Sequence, residues 1–206
     1  MKPNQLIFVR DQVFAMSMMA TAQRGRLYCE NVTDDQREAL REDLRKWLGQ
    51  RAALYVEDVA DVDHMAAIEL LANHISSCHP GTLFARRFRI GSAQKILNLY
   101  LKYLWCLGEI KAPPHCPFDS IVLAEIPGCR EVRWTQFDSI EEYERIVREA
   151  RSEAGDLGLA EWELRMYNAA AAKRAIAARS QSAGDAAKRS GNVEDALAVF
   201  AKGTVK

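Results

Sequence analysis

Apolar residues in this chain follow the three-and-four spacing of an α-helix almost from end to end. The stretch from Leu6 to Thr21 is apolar with a helical spread. Thr33-Asp34-Asp35-Gln36 reads as a capping box, in which the Thr33 hydroxyl accepts from the amide at position 36 and the Gln36 side chain reaches back. It predicts a helix to about Leu54, with Leu40, Leu44, Trp47 and Leu48 on one stripe. A second helix fits Asp61 to Cys78, buried through Met65, Ile68, Leu71 and Ile75, and Pro80-Gly81 breaks it. Ser92 to Leu107 is the most apolar helix, with Gly108 in the C-cap position. Pro113-Pro114 stiffens the return, and Asp119 to Ile126 is a short apolar element. Asp138-Ser139 caps a helix to about Ala154, and the last long helix runs from Leu159 to Ala178. Only Glu131 to Phe137 could be a strand, and it is short. The pattern predicts a single all-α domain over 1–178.

Beyond about Ala178 the composition turns to Ser, Gly, Ala and Lys. Gln181 to Gly191 reads as a flexible tail, and Asn192 starts a short amphipathic helix to Lys202. The 206 residues are 49% hydrophobic and 27% charged, which excludes a wholly disordered chain. No apolar run reaches the roughly 18 residues of a membrane span. Arg10 and Asp11 interrupt the first apolar stretch, unlike a signal peptide. Five scattered cysteines suit a reducing compartment, so the expected location is cytoplasmic. Formal net charge is zero, but it is unevenly spread. Residues 80–115 hold six basic side chains against Glu109 alone, and residues 116–163 hold twelve acidic against five basic. A basic face is therefore compatible with neutral overall charge.

The informative stretch is Arg86 to Leu123. It places Lys95 near the start of a buried helix and Asp119 at the head of an apolar element after Cys116-Pro117-Phe118. A proline-stiffened return between them can bring the two together. A carboxylate at a helix start sits near free amides that favour its charged form. Gly91-Ser92-Ala93-Gln94-Lys95, the apolar helix and Pro117-Phe118-Asp119 together resemble the helix-hairpin-helix DNA glycosylase superfamily, which includes oxidised-guanine glycosylase/lyases. The family's turn carries two glycines; here Ala93 stands in the place of the second.

The resemblance, over about 35 residues, implies a helix-hairpin-helix element and an enzyme acting on double-stranded DNA. Lys95 would be the nucleophile and Asp119 the carboxylate that stabilises the developing sugar cation. Amides near Gly91, Ser92 and Gln94 would hold a phosphate, and Arg86, Arg87, Arg89 and Lys102 would supply charge to the DNA backbone. Base flipping is implied, since the bond to be broken is unreachable inside the stack.

Other chemistry competes with this. His74, Cys78 and His79 lie close in sequence, and Cys106, His115, Cys116 or Cys129 could complete a zinc site, but there is no Cys-x-x-Cys pair. The expectation is therefore no metal and no cofactor. No phosphate loop and no serine nucleophile elbow is present. Tyr100, Tyr103 and Trp105 fall in the apolar helix and are expected in the core. The alternative function is a non-enzymatic helical DNA-binding or adaptor protein that uses the same arginines and asks nothing of Asp119.

Overall fold

The computed structural model describes residues 2–172. It is all-α, with seven α-helices and no strand among the described residues. The chain divides into two compact units, Met1–Glu163 and Leu164–Lys206. The first contains α1 (Pro3–Ala22), α2 (Asp34–Ala52), α3 (Asp61–Cys78), α4 (Ile90–Cys106), α5 (Ser120–Glu125) and α6 (Ile140–Ala154), joined in places by short 3-10 turns. A seventh helix begins at 159; residues 164–172, the described part of the second unit, are helical. The expected domain boundary near Ala178, the flexible Gln181–Gly191 stretch and the helix from Asn192 lie outside the described residues.

Local signals account for most boundaries. Thr33 caps α2 with both halves of its box formed, and α3 has the expected limits. On α3 the inward position beside Ile68 belongs to His64, while Met65 is only half-buried. Glu131 to Phe137 is not a strand but a run of turns.

Helix α4 is the centre of the first unit and packs against α1, α2, α3 and α6. It buries residues on every face, including Gln94, Lys95, Asn98 and Lys102. It starts at Ile90, two positions before the expected Ser92, because of a distant carboxylate. Asp138 Oδ1 accepts from the Ile90 amide at 2.9 Å, and the Gly91 amide donates to the Phe137 carbonyl at 3.2 Å. Asp138 was expected to help cap α6; Ser139 does that alone, accepting from the Glu142 amide.

Gly91 is thus the second residue of α4 rather than part of a turn before it. A Cβ there would lie 1.7 Å from the Trp134 carbonyl oxygen. The position requires glycine for close approach of two backbones. The turn between α3 and α4 is made earlier, by Ala85 and Arg86, both left-handed at φ 51° and 58°.

Candidate active site

The return from α4 is clasped to it residue by residue. Gln94 takes the backbone of Phe118 from both sides: its Nε2 donates to the carbonyl at 2.8 Å, and its Oε1 accepts from the amide at 3.1 Å. One turn on, Asn98 Nδ2 donates to the Cys116 carbonyl at 2.8 Å. With 116–118 so fixed, Asp119 arrives beside Lys95. Lys95 Nζ donates to Asp119 Oδ2 at 2.7 Å. The other oxygen, Oδ1, accepts from the amides of Ile121 and Val122 and so caps α5.

Both groups are largely withdrawn from water, with 6% of the lysine side chain and 22% of the aspartate exposed. Burial pushes the Asp119 carboxyl up. The Lys95 charge and the α5 amides outweigh it, and the net direction is down, toward the ionised form. The pair opens on a small cavity of about 140 Å³, lined by Ala20, Gln23, Arg24, Lys95, Asp119 and Trp134. Arg24 Nη1 donates to the Ser120 hydroxyl across it at 3.0 Å. The arginine is exposed, and that bond holds it over the opening.

Two further arginines meet at Phe84, and one of them, Arg26, is also paired with Glu30 at 2.6 Å. The Arg26 guanidinium stacks on the Phe84 ring at 4.3 Å, and Arg89 lies over the same ring at 5.8 Å. Arg89 also donates to the Thr135 carbonyl. Neither Arg24, Arg26 nor Trp134 was singled out from the sequence. Arg24 follows the end of α1 and Trp134 lies in the turns before α6, and only tertiary packing brings these two to Lys95.

Several expected DNA contacts have other roles. Lys102 is buried, with Nζ 2.6 Å from Glu163, so it supplies no surface charge. Gln94 is fully buried in its clasp on Phe118, and the Gly91 amide is taken by Phe137, so neither is open to a phosphate. Arg87 is committed to Asp138 at 2.8 Å and to Asn73, and so secures the carboxylate that starts α4. Ser92 is half-buried with its amide bonded to the Arg89 carbonyl. Arg86 is exposed. The helix start therefore does not present free amides as a phosphate cradle.

Behind the clasp lies a chain of buried polar groups whose donors and acceptors follow a fixed order. The Cys116 carbonyl can only accept, which fixes the Asn98 amide with Oδ1 toward His64. His64 Nε2 must then donate to Asn98 Oδ1 at 2.7 Å. Burial pushes the His64 imidazole down to about 3, so the ring is neutral, and Nδ1 accepts from the Tyr55 hydroxyl at 2.6 Å. Asn98 also donates to the Tyr143 hydroxyl, whose own O–H donates to His115 Nδ1 at 2.9 Å. His115 Nε2 then points at Asp61, 3.6 Å away and too far for a hydrogen bond. Arg151 holds Asp61 at 2.6 Å. Comparison with family models, with curated proteins and with solved structures finds no match to this chain.

Proposed function

We propose that the chain is a DNA glycosylase with lyase capacity, working through Lys95 and Asp119. The observation that carries this reading is their contact at 2.7 Å in a recess that Arg24 lines. A lysine and a carboxylate drawn from separate segments, both mostly buried yet reached by a cavity, are placed for nucleophilic work. The recess is smaller than the roughly 300 Å³ of an ordinary ligand site. A flipped sugar would therefore enter only when Arg24 swings off Ser120.

In the reaction, Lys95 gives up a proton and its Nζ adds to the anomeric carbon. The bond from that carbon to the base breaks, and the base leaves with the electron pair and takes up a proton. Sugar ring opening then yields an imine to Lys95, from which elimination can nick the strand. Asp119, held ionised, stabilises the positive charge that builds on the sugar. Arg24, Arg26 and Arg86 would meet the phosphates, giving binding that is independent of sequence and sensitive to salt.

The test is borohydride trapping on a panel of duplexes bearing oxidised, alkylated and abasic sites. The expected result is a covalent adduct with at least one duplex that disappears in Lys95→Gln. A second reading, a helical DNA-binding protein without chemistry, is favoured by the structural work of Asp119 as the cap of α5. Tight duplex binding with no adduct or base release on any substrate would establish that reading instead.

A further inference from the structure

Asp43 on α2 faces the end of α3, and there it meets both of the histidines that lie outside the buried chain. His74 Nε2 is 3.0 Å from Asp43 Oδ1, and His79 Nε2 is 2.9 Å from Oδ2. One helical turn after His74, Cys78 brings its Sγ to 3.8 Å from His74 Nδ1. One donor atom each from Asp43, His74 and Cys78 lies within 4.8 Å of the other two. Cys78 is exposed, and Asp43 and His74 are partly so, which leaves the cluster accessible from water. The chain has only four histidines, and the other two, His64 and His115, are fully buried.

We propose that Asp43, His74 and Cys78 form a zinc site at the junction of α2 and α3, separate from the Lys95–Asp119 recess. A thiolate, an imidazole and a carboxylate are the donor types zinc takes. Around a tetrahedral zinc such donors stand roughly 3.3–3.6 Å apart. A metal takes His74 through one ring nitrogen: at Nε2 the Asp43 oxygen stands at 3.0 Å, and rotation of the exposed Cys78 side chain carries its sulfur from the Nδ1 side of the ring toward that nitrogen, within a cluster whose donor atoms already lie within 4.8 Å of one another. His79 is a positioning residue: it holds the second oxygen of Asp43 and so directs the first toward the metal. Zinc uptake displaces the Cys78 thiol proton and the proton between His74 and Asp43. Three protein ligands leave a fourth position for water or for a ligand from a partner. The sequence pattern argues against zinc because it holds no Cys-x-x-Cys pair and because Asp43, on a different helix from His74 and Cys78, carries no spacing signal.

The experiment is a zinc titration of the full chain, stripped with chelator, against a chromophoric competitor. Cobalt substitution is followed in parallel by absorption. One zinc per chain is expected, together with a thiolate-to-cobalt charge-transfer band and protection of Cys78 from a thiol reagent. Cys78→Ser and His74→Ala should each weaken zinc binding at least tenfold, with the cobalt band lost in Cys78→Ser. His79→Gln should keep the stoichiometry and weaken affinity about tenfold, while Cys106→Ser changes nothing. These side chains are at the surface, and circular dichroism of each variant confirms that it is folded. Zinc uptake unchanged in both Cys78→Ser and His74→Ala, or no cobalt–thiolate band in the unaltered chain, overturns the site and leaves Asp43 as a plain bridge between α2 and α3.

Discussion

Asp119 carries two duties on two oxygens, one toward the helix it caps and one toward Lys95. Asparagine can perform the first, since it caps helices as well as aspartate does, but it cannot supply the charge. Asp119→Asn should therefore leave the helical circular dichroism unchanged and lower single-turnover base release about a hundredfold, or on the order of 3 kcal/mol. Lys95→Gln should abolish trapping and strand nicking, while some base release persists with water as nucleophile. His64 makes a second residue-scale prediction. Its neutral form is imposed by burial and by the donors around it. An NMR titration of the folded chain should find its ring unprotonated at pH 5, where an ordinary histidine is mostly charged. Titration near 6.5 would mean that the Tyr55–His64–Asn98 chain is open in solution.

At the scale of elements, Asp119 is legible because it caps a helix start marked in the local sequence, and Lys95 because it lies in the first turns of the most apolar helical stretch. Their return path was legible from the prolines between them. The start of α4 was not, since the carboxylate that fixes it belongs to Asp138. Lys102 was misplaced for the same reason: its partner, Glu163, is remote in sequence, and an unpaired lysine reads as surface. Gly91 was read as a turn residue, whereas its lack of a side chain serves packing. Gly91→Ala puts a methyl group into the Trp134 backbone and should cost about 3 kcal/mol or more in urea unfolding. Because the same contact aligns α4 with the recess, activity should fall even in the fraction that folds. An alanine variant as stable as the parent would show that α4 can shift away from Trp134.

For the whole molecule, the all-helical fold was legible in periodicity alone, and the concealed basic face was legible only in part. Arg24 lines the recess, Arg26 and Arg89 lie over the Phe84 ring with Arg26 also paired to Glu30, and Arg87 and Lys102 are spent on internal carboxylates. The chain's response to acid follows from the buried histidines. His64 and His115 both have depressed values in the folded state, so the unfolded chain binds more protons. Their contribution to stability is complete above about pH 6.5 and is lost as pH falls below it, for His64 until about pH 3, at up to ~1.4 kcal/mol per pH unit for each ring. Urea midpoints should therefore decline between pH 7 and pH 5, before any ordinary carboxylate titrates. A flat profile across that range would rule out the buried neutral pair. The fixed order of donors has a kinetic face as well. A proton in the Asn98 amide or on the Tyr143 hydroxyl cannot reach solvent unless the clasp on 116–118 lets go. In heavy water those side-chain protons should exchange as slowly as the most protected backbone amides of α4, so that a few isolated resonances time the opening of the segment that delivers Asp119.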